Sequence, residues 1–156
     1  GCHVDLIVGF RNKDLVILED ELRNACTNLY IGTDDGSYGK KALVTELLKE
    51  QIDAGVKYDR VIAIGPVIMM KFVCAVTKKY GVKTVVSMNP IMIDGTGMCG
   101  GCRISVGGET KFVCVDGPEF DGHQVDWDLM IRRSGAYKAQ ETTAREHACN
   151  LFKGIE

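Results

Sequence analysis

Three times before residue 83 a short apolar run leads into a stretch of helical periodicity, and this alternation narrows the fold more than anything else in the chain. Val4-Asp5-Leu6-Ile7-Val8, ending at Gly9, suits a buried parallel strand. Leu15, Leu18, Leu22 and Ala25 then recur at helical spacing, with Asn12 available as an N-cap. Leu29-Tyr30-Ile31 predicts the next strand, and Leu43, Val44, Leu47, Leu48 and Ile52 form a helix stripe that stops at Gly55. Arg60 to Ile64 follows as a strand, then a helix from Pro66 to Gly81, and Lys83 to Val86 closes the series. Units of about thirty residues in this order predict an α/β fold with a parallel, helix-covered sheet. Ligands in such sheets bind beyond the carboxyl ends of the strands.

Two loops fall at those ends. Thr33-Asp34-Asp35-Gly36-Ser37-Tyr38-Gly39 carries glycines and hydroxyls ahead of a helix, a composition that can face a phosphate or ribose or simply form a polar surface turn. Gly65-Pro66-Val67-Ile68-Met69-Met70 is the other, and its methionines taken singly read as core filler. With 156 residues the chain can build one ordinary domain and a small appendage. A net charge of −2 and a pI near 6.0 give no electrostatic footprint for nucleic acid or for a membrane surface. The most apolar run, Val61 to Val76, contains Pro66 and Lys71 and is too short to span a bilayer.

The chemistry is concentrated in Asp94-Gly95-Thr96-Gly97-Met98-Cys99-Gly100-Gly101-Cys102 and in Cys114-Val115-Asp116. Cys99 and Cys102 form a Cys-x-x-Cys pair, and Arg103 to Val106 with Thr110 to Val113 predict two strands turning at Gly107-Gly108, which would return Cys114 beside that pair. Asp94, five positions before Cys99, stands where plant-type two-iron ferredoxins place their first cysteine. Three thiolates and a carboxylate suit a [2Fe-2S] cluster or a tetrahedral zinc, and both stay open on spacing alone. The remaining cysteines, Cys2, Cys26, Cys74 and Cys149, read as small buried hydrophobes of a protein in a reducing, cytoplasmic setting. No basic-then-apolar leader is visible at the start. No Ser/His/Asp or paired-carboxylate constellation stands out, so no catalytic side chain is assigned. His3, His123 and His147 are scattered, and Trp127 reads as a packing anchor.

The words Asp94 to Gly100 and Phe112 to Asp126, including the acid in place of a cysteine, resemble the flavin and [2Fe-2S] electron-transfer subunits of the ferredoxin reductase-like class. That class includes the electron-transfer subunit of dihydroorotate dehydrogenase, the sulfhydrogenase gamma subunit and, most closely, the small subunit of NADH-dependent ferredoxin:NADP oxidoreductase. The resemblance implies a nucleotide lobe over 1–88, a cluster lobe over 89–128 and a C-terminal helix over 129–156, the last marked by Ala144, Ala148, Leu151 and Phe152. It implies Asp94, Cys99, Cys102 and Cys114 as ligands of a [2Fe-2S] cluster. It implies further that Thr33, Asp34, Asp35, Gly36, Ser37 and Gly39, with Gly65, Pro66 and Met69, contact NAD(P)H. FAD would be held mainly by a barrel that this sequence lacks. The implied function is electron transfer from nicotinamide through flavin and cluster to a larger iron–sulfur flavoprotein subunit, with ferredoxin as a further partner. A hydrogenase or dihydroorotate dehydrogenase electron-transfer subunit is the related alternative, and a zinc-stabilised, non-enzymatic interaction module is the alternative from another class.

The resemblance begins at what corresponds to the second strand of the nucleotide lobe, and no G-x-G-x-x-G follows any strand. A partial Rossmann-like sheet is therefore expected, with the strands at Val4 and Arg60 each missing a neighbour. Unpaired buried backbone groups cost about 1–3 kcal/mol each. The two half-sheets are expected either to join directly or to recruit a second copy as a homo-oligomer.

Overall fold

The computed structural model describes residues 1–151. Two compact units divide after Asp59, inside the 1–88 segment expected for the nucleotide lobe. The first contains β1 (Asp5–Phe10), a 3₁₀ turn at Lys13–Leu15, α1 (Glu19–Ala25), β2 (Asn28–Thr33), β3 (Lys40–Lys41) and α2 (Val44–Asp53). The second contains β4 (Arg60–Ile64), α3 (Val67–Lys79), β5 (Lys83–Ser87), β6 (Arg103–Val106), β7 (Glu109–Phe112), α4 (Val113–Asp116), β8 (Glu119–Asp121), α5 (Trp127–Ser134) and α6 (Lys138–Leu151). The architecture is α/β with parallel and mixed sheets, as the strand–helix alternation predicts.

In the first unit β1, β2 and β3 form a parallel sheet in that order, with Val8 opposite Ile31. α2 begins at Leu43, whose N–H donates to Glu46 Oε2 at 2.8 Å, and it buries Leu47 and Leu48. Burying each leucine contributes about 1.5–3 kcal/mol. The helix lies so close to the sheet that a Cβ on Gly32 would meet Ala42 O at 2.5 Å and Leu47 Cδ1 at 3.1 Å. The helix expected from Asn12 is shorter than its leucine spacing suggests. Asn12 precedes only the 3₁₀ turn and makes no side-chain capping bond to it, Val16 is extended, Leu18 takes φ +56° and α1 starts at Glu19. The cause is a long-range bond: Lys13 N donates to Ser37 Oγ at 2.8 Å, which ties the segment to the loop after β2 and leaves Leu15 and Leu18 exposed.

In the second unit β4 and β5 are parallel, and β8 adds antiparallel to β5 with Val86 opposite Phe120. α3 supplies Met70, Val73 and Cys74 to the core together with Ala63 and Val86. A polar thread runs through this core: Thr84 Oγ1 donates to Thr77 Oγ1 at 2.6 Å, and His123 Nε2 lies 3.0 Å from the same oxygen. The opposite face of β4 presents Ile62 and Ile64, 63% and 71% exposed. β1 and β4 belong to different sheets, and each has a partner strand on one side only among the described residues.

Gly122 follows β8, and its N–H donates to Thr84 O at 2.9 Å. A Cβ there would collide with Cys74 Sγ and come within 2.8 Å of Val86 Cγ1. Gly122→Ala is therefore expected to destabilise the chain by about 1–3 kcal/mol through overpacking. Chemical denaturation followed by circular dichroism measures it, and an unchanged midpoint would show that this corner yields without cost.

The segment after the cysteine loop holds more regular structure than its turn-rich composition suggests, namely α4, β8 and α5. The C-terminal helix expected from Tyr137 is α6, on which Ala144 is exposed; Phe152 lies outside the described residues. Among the described residues no helix is long and apolar enough to cross a membrane.

Candidate metal centre and nucleotide loops

The hairpin forms as its sequence predicts: β6 and β7 pair antiparallel with Arg103 opposite Phe112, and they turn at Gly107-Gly108, both at positive φ. Its open end, beyond the Arg103–Phe112 pair, brings Cys102 and Cys114 together. Val113 N donates to Cys102 O at 3.3 Å, and the Cys102 and Cys114 sulfurs lie 3.3 Å apart. Cys102 is 2% exposed, and Cys114 sits on the turn α4. Asp116 holds that turn against the hairpin by accepting from Phe112 N at 2.6 Å.

The other half of the expected donor set is arranged around Asp94. Its Oδ1 accepts from Thr96 N at 2.9 Å and its Oδ2 from Cys99 N at 3.0 Å, so the carboxylate closes the loop on the backbone of the first cysteine. Those amides, Thr96 first, hold the Asp94 carboxyl below the usual carboxylate range. Gly97, at φ +84°, lets the loop pass against α4, where a Cβ would lie 3.1 Å from Val115 Cγ2. Cys99 is exposed and its sulfur accepts from Gly101 N at 3.3 Å.

The two facing thiols differ. Burial alone would raise Cys102, but the N–H and thiol of Cys114 outweigh it and hold Cys102 below the ordinary thiol value. The Cys114 thiol is raised, first by its bond to Cys102 and then by burial. Cys102 is thus the first of the pair to become a thiolate, the form that binds metal.

On this loop cluster the Cys102 and Cys114 side chains meet sulfur to sulfur, and the Asp94 carboxylate meets the backbone N–H of Cys99. Among the described residues no three His, Cys, Asp or Glu side chains gather closely enough to hold one metal ion. In donor chemistry, three thiols and a carboxylate are a set that an iron–sulfur cluster can use.

The loop after β2 is braced from within. Thr33 Oγ1 donates to Tyr38 O at 2.6 Å, and Asp35 Oδ1 accepts from Ser37 N and Ser37 Oγ at 2.9 and 2.6 Å. The hydroxyls that composition offered to a ligand thus hold the turn, and Gly36 and Gly39 take positive φ to allow it. Asp34 stays exposed beside a hollow lined by Lys41, Ala42, Leu43 and Glu46. At the end of β4, Gly65 takes φ +152°, and a Cβ there would meet Met69 Cε at 2.5 Å. Asn89 Nδ2 donates to Gly65 O at 3.4 Å, and Pro66 directly precedes α3. Met69 covers the strand end while Met70 is fully buried, so only the first of the two methionines is placed to meet a ligand.

Of the cysteines expected to be buried, Cys74 is buried, Cys26 is half-buried and Cys2 is exposed, which leaves Cys2 outside the hydrophobic reading. Trp127 Nε1 donates to Gly122 O at 3.1 Å, as suits a packing anchor. Sequence reasoning missed Arg103 and Arg133, both of which bond to carbonyls of the cysteine loop.

The cysteine loop and the partly parallel sheets have counterparts in known iron–sulfur proteins of ferredoxin reductase-like fold. Residues 89–126 match the family described as the iron–sulfur cluster binding domain of dihydroorotate dehydrogenase B. Over 146 residues the chain is 45% identical to the Thermotoga maritima dihydroorotate dehydrogenase B (NAD(+)) electron transfer subunit homolog, covering 94% of this chain and 51% of that one. An uncharacterized protein in the adh 3′ region of Clostridium beijerinckii is 57% identical over 146 residues, covering 93% of this chain and 49% of the relative. A solved chain from the NADH-dependent reduced ferredoxin-NADP oxidoreductase, described in connection with flavin-based electron bifurcation, superposes with a TM-score of 0.83 at 43% identity, over 94% of this chain and 52% of that one. The resemblance expected from the sequence is borne out, and the chain spans about half the length of these relatives.

Proposed function

We infer that this chain carries the cluster and nucleotide portions of an NAD(P)H-dependent iron–sulfur flavoprotein subunit, with 1–88 serving the nucleotide, 89–128 the cluster and 129–156 a helical extension. The observation that carries the reading is the pairing of Asp94 with Cys99 and of Cys102 with Cys114 on one loop cluster, within the matched segment. When bound, nicotinamide supplies a hydride, flavin divides it into single electrons and a [2Fe-2S] centre passes them on. The chain's own contribution is to hold Cys102 and Cys114 sulfur to sulfur, to fix Cys99 through the Asp94 carboxylate, and to offer Asp34, Gly65, Pro66 and Met69 to a dinucleotide. FAD would be bound mainly by residues outside this sequence.

The partner proposed is a larger iron–sulfur flavoprotein subunit, with ferredoxin as a carrier; dihydroorotate dehydrogenase is the alternative partner, which the names of the relatives favour. A cytoplasmic location agrees with the free cysteines among the described residues. The one-sided β1 and β4 suggest association of two copies through their edges, which sedimentation would reveal. An anaerobic preparation tests the whole reading: iron with acid-labile sulfide supports it, and zinc alone supports the non-enzymatic module instead.

Two substitutions at Asp94 test its assignment. A carboxylate is a harder donor than a thiolate, so Asp94→Cys is expected to keep the cluster at an altered potential. Asp94→Ala removes both the ligand and the bonds to Thr96 and Cys99, and is expected to release iron to a chelator about tenfold faster or more. Unchanged iron content and potential in Asp94→Ala would remove Asp94 from the ligand set.

Dinucleotide choice should lean towards NAD(H). With Asp35 turned onto Ser37, the exposed Asp34 is the acid left to bond a ribose 2′-hydroxyl and repel a 2′-phosphate. Arg11, on the neighbouring strand end, opposes this preference. Titrating the chain with NADH and NADPH decides the matter, and tighter binding of NADPH sinks the assignment.

A further inference from the structure

Two guanidinium groups fasten the link between the cysteines of the Cys-x-x-Cys pair. Arg133 Nη2 donates to Gly101 O at 3.2 Å, and Arg103 Nη1 donates to Gly100 O at 3.1 Å. Both carbonyls between Cys99 and Cys102 are therefore bonded to cations. Arg103 is exposed and belongs to the adjoining strand, but Arg133 arrives from 32 residues away and its bond is partly buried.

The helix that delivers Arg133 is well anchored. Asp126 Oδ1 caps α5 by accepting from Leu129 N at 2.9 Å, Met130 is buried, and the helix packs against β6. Arg133 lies in its last turn, where a positive charge also suits the helix's carboxyl end. Neither arginine takes part in an ion pair among the described residues. The nearby acids are engaged elsewhere, Asp94 with the amides of Thr96 and Cys99 and Asp116 with that of Phe112. A water or an amide would satisfy these carbonyls equally well. What the guanidiniums add is fixed positive charge, free of any direct ion pair among the described residues, on the backbone that joins the two thiols.

Resting on the reading of the loop as the seat of a redox centre, we propose that Arg133, seconded by Arg103, is a positioning residue that locks the Cys99–Cys102 link and biases that centre towards its reduced state. Reduction adds one electron to the loop, taken from an electrode or from reduced flavin, with no bond broken and no proton required. The added negative charge is stabilised by fixed cations, the more so where water is partly excluded. Arg133 should outweigh Arg103 because solvent screens the exposed group.

The chain, reconstituted anaerobically with ferrous iron and sulfide, is titrated electrochemically beside Arg133→Gln, Arg133→Lys and Arg103→Gln. Glutamine at 133 keeps a donor for Gly101 O, so iron and sulfide content should hold while the potential falls. The expected fall is about tenfold in the reduced-to-oxidised ratio at fixed potential, about 59 mV for a one-electron couple. Arg133→Lys should restore the wild-type potential, and Arg103→Gln should shift it less, in the same direction. Unmoved potentials in both glutamine variants with full cluster content overturn the inference. Should Arg133→Gln lose the cluster, Arg133→Lys decides: a retained cluster at wild-type potential supports the role of charge, and a lost one overturns it. A wild-type chain that binds no labile sulfide overturns the reading of the site itself, a result reached before any arginine variant is compared.

Discussion

Cys102→Ser is expected to strip the chain of almost all its iron and sulfide while leaving the fold in place. Cys102 is the most enclosed of the proposed ligands, and its sulfur faces that of Cys114 at 3.3 Å. The apposition is imposed by the backbone, since Val113 N bonds to Cys102 O at the open end of the β6–β7 hairpin, just beyond the Arg103–Phe112 pair. A serine hydroxyl fills nearly the same volume and leaves that bond intact, but it is far less acidic than a thiol and a poor donor to iron. The loss should exceed the roughly 10–100-fold that follows removal of a group merely supporting a ligand. Cys74→Ser is the contrasting substitution: its thiol, pushed up to about 11 by burial, is inert, so iron and sulfide should stay near the wild-type level even if the melting point drops. Iron and labile-sulfide assays after anaerobic reconstitution, with circular dichroism as the fold check, make the measurement. Full cluster content in Cys102→Ser would dismantle the proposed ligand set.

What could be read from the residues follows from how local the determining forces are. The hairpin was legible because β-branched residues flank two glycines and no distant partner is needed, and Cys114 beside Cys102 follows from it. α2 was legible because its apolar stripe includes the leucines it buries, and α3 because Pro66 and Gly81 mark its two ends. α1 was not, because the hydrogen bond from Lys13 N to Ser37 Oγ crosses 24 residues and overrides leucine spacing. β8, Glu-Phe-Asp, is too short to show a pattern and exists because β5 offers it an edge. α5 did carry signals, an N-capping Asp126, basic residues in its last turn and Gly135 behind them, but its mean composition is polar enough to pass for a turn. In the site, residue types pointed to the ligands but not to orientation. Nothing in Thr-Asp-Asp-Gly-Ser shows that Asp35 and Ser37 bond one another, nor does Arg133 announce that it reaches Gly101.

Asp5→Ala should destabilise the first unit and should flatten its acid limb. The Asp5 side chain is only 3% exposed, on the first residue of β1, yet it has three partners. Tyr58 Oη donates at 2.7 Å, Asn28 Nδ2 at 2.8 Å, and His3 Nε2 lies at 3.0 Å. Burial by itself would raise the carboxyl, but the bonds from Tyr58 and Asn28 and the facing His3 outweigh it, so the group ionises below the ordinary carboxylate value. The Tyr58 hydroxyl is pushed strongly upward, first by burial and then by the same bond. Truncation leaves the half-buried Tyr58 hydroxyl without its acceptor, at about 1–3 kcal/mol, while the exposed Asn28 amide still has His3 Nε2 at 3.3 Å and solvent. Because the folded pKa is depressed, ionised Asp5 contributes stability that is fully present above the unfolded value of about 3.9 and is lost as pH falls through the lowered folded value. The wild type should therefore lose stability steeply in that window, and Asp5→Ala, already weaker at neutral pH, should lose less. Denaturant midpoints at pH 7, 5, 4 and 3 make the comparison, those settings chosen to bracket about 3.9. Parallel acid limbs in the two proteins would show that Asp5 is held by packing and not by its charge.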